Sequence, residues 1–484
     1  MIPADLREEI ATLEAMGEMK RIKAEVNWNL ELAGITKGVL AKRGPALLFE
    51  NIKDYHKTPG RKLFTNGMGN RVRLATVLGL PKETPFNEIV ETVRKRLKAP
   101  MKPKTVATGP CKENIVKGSK INLFDFPVPK WHALDGGRYI NTFGGFVSRD
   151  PETREVNVGM YRAMIVDQNR MTAIVNPVRQ WGTHYSKYKD RNEAMPAALV
   201  IGGNDLFPFV ASAPMAECEY DAMGGLMEEP VKLVKCETSD LEVPASAEIV
   251  IEGSISTDPK TYEMEGPFGE WSGYYCGAKK RPVMKVDCIT YRNDPIFRGQ
   301  VEGSGPGIIS ESGYMYFAVL GALMWNTLED AGIPGILDIV PTPVTIVKIH
   351  KTYHGQAKQI ALALWGARLS IGFTKIVMVV EEEVDIRNPR EFQMALLQKV
   401  DPAKSLFVLS GYPGDVIDPS MPVEDKYELQ GTVQENKLLI DATTRWDEFP
   451  IREEWDNKRF PPTCTKVLPE IEELVKRRWK EYGL

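Results

Sequence analysis

The hydrophobic pattern changes period twice along this chain of 484 residues, and that limits the fold more than any single motif does. Up to about residue 100 it alternates between helical and strand spacing. Leu6, Ile10, Leu13 and Met16 lie at helical spacing and predict an amphipathic helix over residues 5–20. A strand over 20–26, a helix over 30–41 and a strand over 45–49 are expected next, and residues 74–80 and 86–97 continue the alternation. The Pro- and Lys-rich run APMKPKTVATGP (99–110) reads as a linker.

From residue 113 to about 293, short β-rich runs dominate (156–167, 171–175, 231–236, 248–252 and 283–291), separated by Gly, Pro, Asn and Asp clusters. A helix near 192–198 is expected to lead into a strand over 198–201. Such spacing predicts a β-barrel or sandwich with inserted loops. Helix–strand alternation returns from Met315, with helices expected over 316–330, 356–365 and 389–400 and strands over 344–349 and 375–380. A charged terminal helix over 469–482 is free to cover a neighbour or a partner chain. The expectation is a multidomain α/β (α+β) chain with an N-terminal α/β domain (1–110), a β-rich central domain (111–312) and a C-terminal α/β domain (313–484).

Composition excludes some partners. Net charge is −3, from 62 basic and 65 acidic residues, which argues against a general nucleic-acid surface. Six scattered cysteines form no C-x-x-C pair, so a reduced, cytoplasmic protein is expected instead of a disulfide framework or zinc module. The N-terminus has no apolar signal core, and the longest apolar run, 317–325, is far short of the ~20 residues that cross a bilayer, so no membrane association is expected.

The chemistry centres on Glu265-Gly266-Pro267-Phe268-Gly269-Glu270, two carboxylates on a stretch expected to hold no regular structure. An isolated pair of this kind is usually a solvated turn. A pair held by a stiff loop is also what proton transfer on a small substrate requires. In 156–165, Asn157 and Arg162 interrupt an apolar strand and must be paired or face a cleft. Simple alternation puts them on opposite faces unless Gly159 introduces a bulge. Arg179 is suited to a phosphate, whereas His184 alone reads as a structural histidine. Glu217 and Glu219, with Asn157, offer oxygen ligands to a hard cation such as Mg²⁺ or Mn²⁺. His350 and His354 lack the Glu of a zinc-protease motif, Gly303-Ser304-Gly305-Pro306-Gly307 is neither a P-loop nor a dinucleotide fingerprint, and no G-x-S-x-G elbow occurs.

Taken together, NVGMYRAMIV (157–166), the segment ending at Glu219, LVKCETSDLEVPASAEIVIEG (233–253) and EGPFGEWSGYY (265–275) resemble the UbiD family of decarboxylases, which use prenylated FMN. PALLFENI (45–52), KTYHGQAK (351–358) and IDATTRW (440–446) resemble family segments as well, so the similarity runs over nearly the whole chain. Among family members it is most similar to the aromatic, hydroxybenzoate-type acid decarboxylases. The resemblance implies a central split β-barrel that holds the flavin and a C-terminal domain used for homo-oligomerisation, as a dimer or hexamer. Asn157 and Glu219 match metal-ligand positions, for Mn²⁺ (or Mg²⁺) with K⁺ nearby. Met160, Tyr161, Arg162, Ile174, Val175, Asn176, Arg179, Gln180 and Glu219 match cofactor-binding positions, and Arg162, Glu265 and Glu270 match the catalytic set. Several members carry Gln-His where this chain has Arg179-Gln180, so Gln180 or water is implied as the third metal ligand. Lys351 and Arg368 are further candidates for phosphate contacts.

The implied reaction is reversible, non-oxidative decarboxylation of an aromatic or heteroaromatic acid through a transient covalent bond to prenylated FMN, with a flavin prenyltransferase supplying the cofactor. No side chain can accept the electron pair left by departing CO₂, so a cofactor must. Glu270 is the expected proton donor, in a pocket walled by Phe268 and Trp271; Arg162 is expected to hold the substrate carboxylate or pair with Glu265. The competing classes are a flavin oxidoreductase on the same barrel, which lacks a dinucleotide fingerprint here, and a non-catalytic flavin-binding subunit, which would not need the intact Arg–Glu–Glu trio.

Overall fold

The computed structural model describes residues 1–176, 179–215, 218–303, 309–341, 343–367, 374–414, 418–421, 433–462, 464 and 467–483. Near the N-terminus the helix Leu6–Ala15 starts where Asp5 accepts from the backbone N–H groups of Arg7 and Glu8, both at 3.0 Å. Leu6, Ile10 and Leu13 are buried as the spacing predicts. The helix stops earlier than expected because Gly17 takes φ +75° and turns the chain into the strand Met19–Ile22. That strand lies parallel to Ala46–Phe49, which pairs antiparallel with Lys62–Thr65. The fourth strand of this sheet, Ile296–Arg298, arrives from far along the chain and lies parallel to Lys62–Thr65.

The central sheet is antiparallel throughout. Its order is Arg170–Thr172, Val283–Tyr291, Ile249–Ile255, Met195–Ile201, Gly145–Arg149 and Val156–Gly159, with Asn114–Lys117 also paired to Val283–Tyr291. Period-2 alternation divides these strands between two cores. Ala197, Leu199, Ile201, Ile249 and Ile251 face one apolar cluster, whereas Ala198, Val200 and Val250 face another. The helix preceding Met195–Ile201 is Gln180–Asp190, not 192–198. Asn192 has φ +57° and sits in the turn between them, so the apolar run after it is entirely strand.

In the C-terminal part a five-stranded sheet runs Ile336–Val340, Thr345–Ile349, Ile376–Glu381, Val433–Ala442, Leu406–Gly414. The three inner strands are parallel and both edges antiparallel. The helices Gln356–Gly366 and Pro389–Lys399 accompany it. The terminal helix Pro469–Arg478 buries none of its residues against the rest of the chain. The chain is thus a mixed α/β multidomain protein, and no described helix is long and apolar enough to cross a membrane.

The long helix Glu311–Asp330 joins the parts. Its first residue meets Arg298, which is 1% exposed and also bonds Asp205 Oδ2 at 2.6 Å from Nη2. Glu311 takes the backbone N–H groups of Asn66 (2.8 Å) and Met68 (2.6 Å) as well. One buried guanidinium and two carboxylates therefore fix the helix start against the N-terminal sheet and the central part, and the same helix carries Ser312 and Tyr316 towards the site.

Candidate functional site

The strand Val156–Gly159 ends because the Tyr161 ring folds back on it: a Cβ on Gly159 would lie 2.3 Å from that ring. Met160 instead donates its N–H to Ala211 O at 2.9 Å, and pairing resumes only at Ala163–Met164. Simple alternation across 156–165 is therefore broken, and Asn157 and Arg162 line one cavity instead of opposite faces.

The Glu265–Glu270 stretch contains more regular structure than expected. Glu263–Glu265 pairs with Lys279–Arg281, and Phe268–Gly269 pairs with Tyr275–Cys276, with the cis Gly266–Pro267 bond between the two ladders. Pro267 falls in that gap, where its missing N–H costs no ladder bond. Gly266 has φ +92°, and a Cβ there would lie 2.6 Å from Gly277 O.

These elements bring Arg162, Glu265 and Glu270 together. Arg162 Nε donates to Glu265 Oε1 at 2.9 Å and Nη2 to Oε2 at 3.1 Å, while Nη1 bonds Glu270 Oε1. Burial works against the charge of Arg162, but the Glu265 carboxylate outweighs it and holds the guanidinium pKa above its ordinary value. Tyr139 OH donates to Glu265 Oε1 at 2.7 Å. Burial and that carboxylate push the phenol well above its usual range, so it stays a donor. Phe268 packs on both, with its centroid 5.3 Å from Arg162 Cζ and 4.3 Å from the Tyr139 ring.

A cavity of about 620 Å³ opens beside this cluster. Glu270, Phe268 and Trp271 are in its wall, together with Asn157, Met160, Tyr161, Arg162, Ile174, Val175, Asn176, Arg179, Gln180 and Glu219. Glu265 is not in the wall; it is fully buried behind Arg162. Lys351 is also absent from the wall, because Nζ is bonded to Thr443 Oγ1 (2.9 Å) and Thr444 O (2.7 Å). Glu217, Arg368 and residues 304–307 lie outside the described residues. His184 is buried away from the cavity wall, with Nδ1 2.9 Å from Ser148 Oγ.

The cation-binding expectation rests on Asn157, Gln180 and Glu219, all of which line the cavity. Glu219 opens the helix Glu219–Met227 and accepts from Val158 N at 3.0 Å. Gln180 opens the helix Gln180–Asp190. Asn157 is 3% exposed, and its buried side-chain nitrogen meets no partner among the described residues. Among the described residues no group of three His, Cys, Asp or Glu gathers as a metal site. One carboxylate with two carboxamides is a donor set for a hard cation that takes its remaining oxygens from a bound phosphate or from water; of the Asn157 amide, the oxygen would face the cation and the unpartnered nitrogen, a donor, would face an anionic oxygen.

Two residues of the site escaped the sequence reading. Tyr139 is one. Glu302 is the other: it lines the cavity, is 9% exposed, bonds Gln300 Nε2 through Oε1, and accepts from Ser312 Oγ at 2.9 Å through Oε2. Burial pushes its carboxyl up to about 7. Its sequence signal was weak, because Glu302 sits in a Gly-rich stretch that matches no phosphate motif.

Comparison with known proteins covers almost the whole chain. Residues 10–93, 104–305 and 318–442 match the N-terminal, Rift-related and C-terminal domain models of the UbiD, 3-octaprenyl-4-hydroxybenzoate carboxy-lyase, family. A phenolic acid decarboxylase of Sedimentibacter hydroxybenzoicus is 32% identical over 493 residues, covering 98% of each chain. The closed form of vanillic acid decarboxylase from the same organism superposes with a TM-score of 0.86 at 30% identity, over 99% of this chain and 100% of that one. The UbiD-class enzyme HmfF from Pelotomaculum thermopropionicum, in complex with FMN, gives a TM-score of 0.80 at 28% identity, over 97% of this chain and 98% of that one.

Proposed function

Because this chain belongs to the UbiD family and is a carboxy-lyase, we propose that it catalyses reversible, non-oxidative decarboxylation of an aromatic or heteroaromatic acid with prenylated FMN in the cavity beside Arg162. The observation that carries this reading is the geometry of Arg162, a single guanidinium in the cavity wall that holds both Glu265 and Glu270. Solved relatives support the choice of cofactor, since forms of HmfF are described in complex with FMN and with prFMN. The cavity volume, about 620 Å³, lies within the roughly 300–1,000 Å³ typical of ligand pockets.

The bound cofactor supplies the electron sink that the departure of CO₂ requires. Every other task falls to this chain. Arg162 binds the substrate carboxylate and orients its C–C bond. Glu265, held by Tyr139 and by two bonds from Arg162, keeps that guanidinium charged and aimed. As the substrate carboxylate takes over Arg162 Nη1, Glu270 is displaced from its ion pair into a pocket walled by Phe268 and Trp271. There it takes up a proton from water, and it then delivers that proton to the ring carbon that lost CO₂. In the reverse direction it removes that proton.

Arg179 would hold the flavin phosphate, and Asn157, Gln180 and Glu219 would hold a Mn²⁺ (or Mg²⁺) ion, which would supply positive charge to offset that phosphate, with K⁺ nearby. Met160, Tyr161, Ile174, Val175 and Asn176 would contact the flavin itself. We read residues 111–312 as the split β-barrel domain that carries this site, between an N-terminal domain (1–110) and a C-terminal domain (313–484) that forms a homo-oligomer.

The test is co-production with a flavin prenyltransferase, an ultraviolet-visible and mass spectrum of the purified protein, and a panel of aromatic acids assayed for CO₂ release. Bound prenylated FMN and release from at least one acid are expected. A loaded protein that neither releases CO₂ nor exchanges a ring proton across the panel would overturn the reading.

A further inference from the structure

The stretch Trp131–Gly136 runs beneath the Glu265–Glu270 loop and touches it repeatedly. Gly136 N donates to Pro267 O at 2.8 Å. Asp135 Oδ1 accepts from Gly269 N at 3.0 Å, and Leu134 N donates to Tyr275 OH at 3.2 Å. The His132 ring lies under Gly269 so closely that a Cβ there would meet Nδ1 at 2.6 Å. The same ring packs edge-on to Phe268 and Tyr275, each with centroids 6.1 Å away.

His132 and Asp135 also brace each other. Asp135 Oδ2 accepts from His132 N at 2.8 Å and lies 3.3 Å from Nδ1. The Asp135 side chain is fully buried and that of His132 is 7% exposed. His132 Nε2 is 3.0 Å from Glu302 O. A carbonyl oxygen can only accept, so Nε2 carries the proton and the ring points the segment bearing Glu302 at the loop bearing Glu270.

We propose that His132 and Asp135 are positioning residues for the reaction, a buried pair that fixes the backbone on the N-terminal side of Glu270 and ties it to the Glu302 segment. Neither touches the cavity. Gly269 is the residue immediately before Glu270, so a shift in its N–H bond moves the acid itself. Satisfying one loop amide would need one acceptor. Here a carboxylate, a ring and a second loop are all locked to the same point, and the cost of a loose acid is large, since a displacement of about 1 Å can cost about 100-fold in rate.

This rests on the decarboxylase reading for its kinetic consequence but not for its structural one, and the test separates the two. Asp135→Ala, Asp135→Asn, His132→Ala and His132→Gln are compared with wild type by kcat and KM on an accepted aromatic acid, by flavin occupancy, and by hydrogen exchange in residues 266–275. Asp135→Ala is expected to lower kcat about 10- to 100-fold, with KM within about three-fold, flavin occupancy unchanged and faster loop exchange. Asp135→Asn keeps an oxygen for Gly269 N–H, and His132→Gln keeps a donor for Glu302 O, so each should recover most of what its alanine variant loses.

Wild-type kcat in Asp135→Ala, or a loss carried entirely by KM or by missing flavin, overturns the proposal. If Asp135→Ala does not fold, equal kcat in His132→Ala and His132→Gln overturns it. If wild type turns over no aromatic acid, the functional reading fails, and loop exchange alone decides the brace: unchanged exchange in all four variants rejects it.

Discussion

Arg162 grips Glu265 with two of its nitrogens, Nε to Oε1 at 2.9 Å and Nη2 to Oε2 at 3.1 Å, and offers only Nη1 to Glu270. The two carboxylates are therefore not equivalent. Glu265 is fully buried, bidentate and further bonded by Tyr139 at 2.7 Å. Removing it leaves a largely buried guanidinium with only its single bond to Glu270, and breaking such a pair typically costs about 3 kcal/mol. Glu265→Ala is accordingly expected to destabilise the fold by about 3 kcal/mol, measured by denaturant unfolding of the flavin-free protein, as well as to slow turnover. A stability within about 0.5 kcal/mol of wild type would show that Arg162 finds another partner at no cost.

Glu270 has the looser attachment and the cavity-facing position. Glu270→Gln preserves shape and removes the transferable proton. It should fold, bind flavin at wild-type stoichiometry and lose more than about 100-fold in kcat. Turnover at the wild-type rate would remove Glu270 from proton transfer, and stopped-flow loss of substrate absorbance is a sufficient assay.

Asn157 contributes an amide nitrogen that has no partner among the described residues. Its deletion therefore forfeits little intramolecular hydrogen bonding, and Asn157→Ala should change unfolding free energy by no more than about 1 kcal/mol. Retention of flavin and of divalent metal should fall together, read by flavin absorbance per chain and by metal analysis. Full occupancy of both in the purified variant would reject the proposed cation site.

Much of the fold is visible in local pattern, and the exceptions have identifiable causes. The strand Val283–Tyr291 is expected and observed with the same ends, because a run rich in apolar and β-branched residues is bounded by Pro282 before it and an Asn-Asp turn after it. The sequence pattern points to a helix near 192–198 and not over Gln180–Asp190, because Gly182 and a cluster of aromatic residues obscure the period there, and Asn192 hides the turn after it. Arg162 and the acid pair could be singled out as polar residues in unfavourable sequence settings. Tyr139, His132 and Asp135 could not, because each acquires its role only when a segment about 130 residues away folds onto it. The strand Ile296–Arg298 is invisible to local reasoning for the same reason, since its partner strand is Lys62–Thr65.

Glu302 gives a pH dependence whose sign is fixed. Desolvation by burial outweighs the donors Ser312, Gln300 and Gly303 N–H, and the nearby Glu311 charge adds to it, so the carboxyl titrates at about 7 in the folded chain against 4.5 ordinarily. Between those values the folded protein holds a proton that the unfolded chain has released. Stability therefore falls as pH rises from about 4.5 to 7 and levels off above, a loss of about 3 kcal/mol from this group. Glu302→Gln cannot titrate. Whatever constant cost it carries at the Gln300 and Ser312 contacts, its stability relative to wild type should improve by about 3 kcal/mol between pH 4.5 and pH 8. The buried Glu9, also pushed up by desolvation, is present in both proteins and cancels. Paired urea melts at the two pH values decide the matter: parallel pH profiles for the variant and wild type would show that Glu302 is ionised throughout and its burial fully compensated.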